Sequence, residues 1–194
     1  YEITTRLVGS EMCIRDREGM HGDYGANIGK VIAIRKDLPS LLKAYAAAGS
    51  DARMNGCELP VVINSGSGNQ GLTVSVPLII YAEREHLDKE KLYRALVISN
   101  LTAIHLKTEI GRLSAFCGAV SAGAACGAGL AYLKDASEEV MNHTIVNALA
   151  ITSGIICDGA KASCAAKIAV SVEAGILGYD MYMNGQQFYG GDAV

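Results

Sequence analysis

The chain contains no tryptophan, two phenylalanines and three prolines in 194 residues. With so little aromatic bulk, its interior must be filled by small and aliphatic side chains. That suits closely packed helices better than a sandwich of aromatic-studded strands. A surplus of positive charge is also missing: 17 Lys and Arg stand against 20 Asp and Glu, for a net charge of −3. With no basic run either, nucleic acid is not an expected partner. The opening YEITTRLVGSEMCIRDR has no apolar leader core, which predicts a reducing, cytoplasmic setting. There is no C-x2–4-C knuckle for zinc, no G-K-[ST] phosphate loop and no G-x-G-x-x-G dinucleotide fingerprint. No internal repeat or low-complexity linker stands out.

What is present is half hydrophobic by count, with 22 glycines and many alanines. The length suffices for one domain with a real core, or for a piece of a larger one. Residues 113–133, LSAFCGAVSAGAACGAGLAYL, carry no charge and imitate a membrane span. Their bulk is Ala, Gly, Ser and Cys, which insert weakly, so the segment predicts a wholly buried core helix and no membrane partner. Residues 1–17 differ from the rest: they are polar and without pattern, and LVGSEMCIRDR reads as a translated sequencing adapter. The domain is expected over residues 18–194, and Cys13 falls outside it.

Residues 18–31, EGMHGDYGANIGKV, predict a turn leading into a helix or strand. LPSLLKAYAAA, Leu38–Ala48, places Pro39 ahead of helix formers, and Gly49 reads as its stop. The run from Leu59, LPVVINSGSGNQGLTVSVPLIIYAERE, is ambiguous. VVIN fits a short strand, SGSGNQG a loop, and LTVSVPLII either a second strand or a helix that starts on the loop. Pro77 speaks against a central strand. Asp88–Ser99 predicts an amphipathic helix capped by Asp88, with Leu92, Ala95, Leu96 and Ser99 on one face. Ser137 predicts the cap of another helix, residues 145–156 and 163–178 further Ala- and Ile-rich helical stretches, and YMNGQQFYGGDAV a glycine-rich terminal loop.

Two groups of residues carry chemistry. Cys117, Cys157 and Cys164 lie in apolar or small-residue surroundings, and Cys157 and Cys164 share the stretch ICDGAKASCAAKI, residues 156–168. Three thiolates on separate helix ends suit an iron–sulfur cluster with one iron left without a protein thiolate; buried structural thiols explain the same residues without metal. Cys126 and Cys57 read as packing. The second group is Ser65, Gly66, Ser67, Gly68, Asn69 and Gln70, where glycines free backbone N–H groups to turn inward. If a helix follows, its positive end favours a carboxylate or phosphate; an ordinary flexible loop has the same composition. Of the four histidines, His105 alone is a candidate for chemistry, and His21, His86 and His143 read as surface or core.

HGDYGANIG (21–29), INSGSGNQGLTVSVP (63–77), GRLSAFCGAVSAG (111–123), ICDGAKASCAAK (156–167) and FYGGD (188–192) together resemble the serine dehydratase alpha-chain superfamily. Within it they look most like the UPF0597 group, which includes L-cysteine desulfidase. The resemblance implies a mainly α domain with buried Ala/Gly-rich helices, and a helix after SGSGNQG. It implies an oxygen-sensitive 4Fe–4S cluster held by three cysteines, which carry over to Cys117, Cys157 and Cys164. The Ser65–Gln70 loop becomes the place for an amino-acid carboxylate. The implied reaction eliminates the β-substituent of a small L-amino acid: L-cysteine to pyruvate, ammonia and hydrogen sulfide, or L-serine as the alternative substrate. Lys107, Lys161 and Lys167 are candidates for carboxylate contacts, or are solvated. Members of the family extend beyond this chain at both ends, so an internal fragment is implied and the catalytic base is expected outside it. A homo-oligomer is compatible with the family. A non-catalytic structural domain holding zinc is the rival from another class.

Overall fold

Asp37, Ser67, Asp88 and Ser137 each sit in extended backbone just ahead of a run of helix formers, and each accepts a hydrogen bond from a first-turn backbone N–H. Such caps satisfy donors that a helix start leaves without partners. The computed structural model describes residues 10–111 and 114–192. Among the described residues the chain forms eight helices and no strand: α1 Ser10–His21, α2 Ile28–Ala33, α3 Leu38–Met54, α4 Gly68–Arg84, α5 Lys89–Ile110, α6 Gly118–Leu133, α7 Glu138–Thr152 and α8 Cys164–Met183. The expected mainly α architecture is thus the observed one.

Helix α6 runs through the middle, against α4, α5, α7 and α8, while α3 joins α1, α2, α4 and α8. Every residue from Ser121 to Ala131 is buried, and no helix among the described residues is long and apolar enough to cross a membrane. A helix without large side chains fills a core by letting backbones touch. A Cβ on Gly123 would lie 2.3 Å from the Ser171 carbonyl oxygen of α8, and one on Gly175 would lie 2.6 Å from the Gly123 oxygen of α6. Leu72, Val76, Leu78, Leu130, Ile168 and Val172 fill the space around this crossing.

Several local expectations give way to packing. Gly49 does not stop α3, which continues to Met54; a Cβ there would meet Leu72 Cδ2 at 3.0 Å, so the glycine admits α4. Glu18–His21 is the last turn of α1 rather than a turn into the next element. VVIN forms no strand, and the loop after it is closed by an isolated bridge from Asn64 to Ser67. Pro77 lies inside α4, and the Asp88 helix runs on to Ile110.

Helix α1 passes without a break across the boundary at residue 18. On it Asp16 is fully buried, near Gly49 of α3. Its Oδ1 accepts from the Arg17 N–H at 2.9 Å, and Oδ2 has no partner among the described residues. Burial pushes this carboxyl up to about 7 from an ordinary 3.8. The folded state therefore holds a proton that the unfolded state releases across that window. Stability is expected to fall as pH rises from 3.8 to about 7, by roughly 4 kcal/mol in all. Urea unfolding at both ends of the window measures the slope. Asp16→Leu should flatten it and raise stability at the upper end, and an unchanged slope would locate the titration elsewhere.

Candidate functional site

Cys117 and Cys157 meet through a very short antiparallel pairing. Phe116 bridges to Ile156; the Cys117 N–H donates to the Ile155 carbonyl at 3.2 Å and the Cys157 N–H to the Ala115 carbonyl at 2.7 Å. Cys117 occupies the N-cap of α6 in extended backbone, with its side chain making no capping bond. Gly159, in left-handed backbone at φ 96°, helps turn the chain back from Cys157 to Cys164, the first residue of α8. The Cys164 thiol approaches the Gly159 carbonyl at 3.7 Å. Two of the thiols thus stand at helix starts. The third, Cys157, is exposed on the connecting loop, which corrects the expectation of three separate helix ends.

The SGSGNQG segment is a built turn. Ser65 and Gly66 take left-handed backbone, at φ 49° and 82°, and Asn64 and Ser67 exchange two backbone hydrogen bonds at 3.1 and 3.0 Å. Asn64 Nδ2 ties this turn to α5 by donating to Asn100 Oδ1 at 3.0 Å. Ser67 then caps α4 by accepting from the Gln70 N–H at 3.4 Å. Gly71 is required because a Cβ there would sit 1.9 Å from the Val62 carbonyl oxygen.

These separate segments line one cavity of about 290 Å³. Gly66, Ser67, Asn69 and Gln70 contribute from the loop, Cys117, Cys157 and Cys164 from the thiol segments, and Arg53, Lys107 and Phe116 from elsewhere. Ser65 and Gly68 are not on its wall: the Ser65 hydroxyl donates to Asn64 Oδ1 at 3.0 Å, and Gly68 lies against Arg53 and Val61. Gln70 is buried across the start of α6, where a Cβ on Gly118 would lie 2.4 Å from its Nε2. Its Oε1, and Asn69 Oδ1, have no hydrogen-bond partner among the described residues.

The cavity is electropositive by construction. Among the described residues no Asp or Glu is on its wall, whereas Arg53 and Lys107 are, and α4, α6 and α8 all begin at or beside it, each with the positive end of its dipole. Burial pushes the Cys117 thiol up, and the nearby sulfurs of Cys157 and Cys164 push the same way; the Ala119 N–H and Lys167 pull it down. Three soft donors that bind as thiolates fit a thiophilic metal group, and the positive surroundings offset the negative charge that the thiolates bring. Among the described residues no group of three or more His, Cys, Asp or Glu is gathered to hold a metal ion. Thiols spread around a cavity suit the corners of a polynuclear cluster better than a single ion.

Other candidates fall elsewhere. Lys161 and Lys167 both pair with Asp158, and Lys167 also donates to the Ile156 carbonyl at 3.1 Å, so they brace the loop between Cys157 and Cys164. His105 is exposed on α5 and absent from the cavity wall; His143 stacks on Tyr182 at 4.3 Å. Cys126 is wholly buried in α6, where burial drives its thiol far up. Cys57 is half-buried. HGDYGANIG packs α2 on α3, with the Gly29 N–H donating to Asp51 at 3.1 Å. Arg53 and Phe116 also line the cavity; the aromatic just before Cys117 is a local signal for Phe116, and Arg53 has none.

A sequence profile for the serine dehydratase alpha chain matches residues 3–193. UPF0597 proteins of Desulfitobacterium hafniense, Finegoldia magna and Treponema denticola are 63%, 54% and 51% identical to this chain over 180, 178 and 199 residues. Those alignments take in 92%, 91% and 99% of this chain but 42%, 43% and 46% of the relatives, so the chain spans under half their length. No solved structure matches.

Proposed function

The chain belongs to the serine dehydratase alpha chain family, in its UPF0597 group, and we propose that its cavity is the iron–sulfur portion of an active site that eliminates the β-substituent of a small L-amino acid. L-cysteine is the substrate of choice, hydrolysed to pyruvate, ammonia and hydrogen sulfide. One observation carries the reading: three thiols and a glycine-rich turn, far apart in sequence, line a single cavity without a carboxylate on its wall among the described residues.

Cys117, Cys157 and Cys164 would hold a 4Fe–4S cluster. Bound there, the cluster supplies a Lewis-acidic iron free of protein thiolate, which polarises the bond to the leaving group. The chain's own residues do the positioning. Backbone N–H groups at the start of α4, with Ser67 beside them, orient the substrate carboxylate. The unpartnered oxygens of Asn69 and Gln70 accept from the substrate ammonium, and Phe116 screens one side of the cavity from water. The base that takes the Cα proton belongs to the length of the relatives that this chain does not include. A reducing, cytoplasmic setting agrees with the free thiols of Cys57, Cys117, Cys126, Cys157 and Cys164.

The test is anaerobic reconstitution with iron and sulfide, followed by assays with L-cysteine and L-serine. The full-length Desulfitobacterium hafniense relative is assayed beside it. Pyruvate with equimolar sulfide from L-cysteine is the expected result. Pyruvate from L-serine alone would move the assignment to a dehydratase. An active relative beside an inactive chain places the base in the missing length; stoichiometric zinc without iron in both would sink the lyase reading in favour of a structural metal domain.

A further inference from the structure

Lys107 is a buried lysine without a counter-ion among the described residues. It projects from α5 with 5% of its surface exposed, and none of the ion pairs among the described residues includes it. It stands on the wall between two cavities. One is the thiol-lined cavity; the other, of about 280 Å³, is walled by Ile110, Val120, Leu149 and Ile155, and shares Lys107, Phe116 and Cys117 with the first. That second cavity is mostly apolar, with Ser121 and Ser153 its neutral polar members, and a charge in such surroundings interacts strongly with any anion that reaches it. The other side opens on Ser67, Gln70 and the starts of three helices, with no carboxylate among the described residues to neutralise it.

We propose that Lys107 is the anion anchor of this cavity and holds the carboxylate of a small monocarboxylic amino acid, whether or not a cluster is present. Naming that anion as the substrate's carboxylate rests on the function proposed above. The charge pairing itself does not, because it follows from the burial of Lys107 and the missing acid. Lys161 and Lys167, the other lysines considered for this role, are already paired with Asp158, which leaves Lys107 as the cation on the wall beside Arg53. A charged donor facing a carboxylate in a dry site makes a strong, charge-assisted bond, so its removal should be costly to binding and not to folding.

The probe is L-alanine, which has the carboxylate and amine of the substrate but nothing to eliminate. Binding to the metal-free protein is followed by thermal-shift titration, with L-alaninamide, which keeps the amine but lacks the carboxylate, as the comparison. L-alanine should bind and L-alaninamide should bind at least about tenfold more weakly. Lys107→Met should lose at least about tenfold in L-alanine affinity, and Lys107→Arg should recover part of it. After reconstitution, Lys107→Met should retain its iron. Equal binding of the acid and the amide, or undiminished binding by Lys107→Met, would overturn the proposal. So would loss of iron from Lys107→Met with no L-alanine binding by the wild type, since Lys107 would then serve the cluster. Protection of Lys107 from an amine-reactive reagent by L-alanine, beyond that given by equal L-alaninamide and beyond any fall in labelling of the exposed lysines, is read by mass spectrometry on the wild-type protein and keeps the test independent of how the variants fold. A failed iron count with intact L-alanine binding would remove the cluster and leave the anchor.

Discussion

Cys117→Ser, Cys157→Ser and Cys164→Ser should each reduce iron after anaerobic reconstitution from about four atoms per chain to background, while Cys126→Ser keeps its full complement. A serine hydroxyl is a harder and far less acidic donor than a thiol, so it does not replace a thiolate on iron. The four variants should also separate on stability, in the opposite sense. Cys157 is exposed, and Cys117 and Cys164 are partly so; exchanging sulfur for oxygen there changes little packing. Cys126 is fully buried with apolar neighbours. A hydroxyl in its place loses sulfur contacts and must find an acceptor, at a cost of about 1–3 kcal/mol. The expected pattern is therefore three variants that melt like the wild type and bind no iron, and one that melts lower and binds it all. Iron counting with visible absorbance gives one axis and thermal unfolding by circular dichroism the other. Retention of iron by Cys157→Ser would break the three-cysteine assignment outright, because that thiol has no packing role through which its loss could act.

Much of the helical framework is legible because it is written locally. Asp88 and Ser137 announce their helices by cap chemistry that involves neighbouring residues alone; of the uncharged stretch up to Leu133, the part from Gly118 on is helical and mostly buried, whereas residues 114–117 ahead of it are non-helical and leave Phe116 exposed. What is not legible depends on a partner far away in sequence. Gly49 resembles a helix stop, yet its reason is Leu72 on another helix. VVIN has strand propensity but no second strand to pair with. The meeting of Cys117 with Cys157 depends on the pairing of Phe116 with Ile156, and no spacing rule marks it. Resemblance to a family points to those cysteines before geometry does. Among the three lysines of equal standing in the sequence, Asp158 engages two and burial isolates the third. Arg53 has no local signature: it reaches the cavity because α3 packs beside α4.

Gly175→Val should cost the protein its iron without altering a ligand. Helix α6 follows directly on Cys117 and α8 starts with Cys164, so the angle and distance between these two helices help set the separation of two of the three thiols. That geometry depends on backbone contact. A Cβ at position 175 would fall 2.6 Å from the Gly123 oxygen and 3.0 Å from the Gly127 Cα. Neither is the end of a side chain that could swing aside, so the helices must part. Overpacking of this kind costs about 1–3 kcal/mol for added methylenes and more where backbone must move, enough to lower the melting temperature by roughly 10 °C. Gly175→Ala isolates the contact from local preference. In a helix interior alanine is about 1 kcal/mol better than glycine, so a net destabilisation by Ala shows that the crossing outweighs propensity. Gly154, in the turn after α7, would meet nothing within 4 Å, and Gly154→Ala should leave melting and iron unchanged. Full iron in a destabilised Gly175→Val would mean that the segment from Gly159 to Cys164 adjusts independently of α8. The loop pairing would then hold the thiols in place by itself, and the long helices behind them would matter for folding alone.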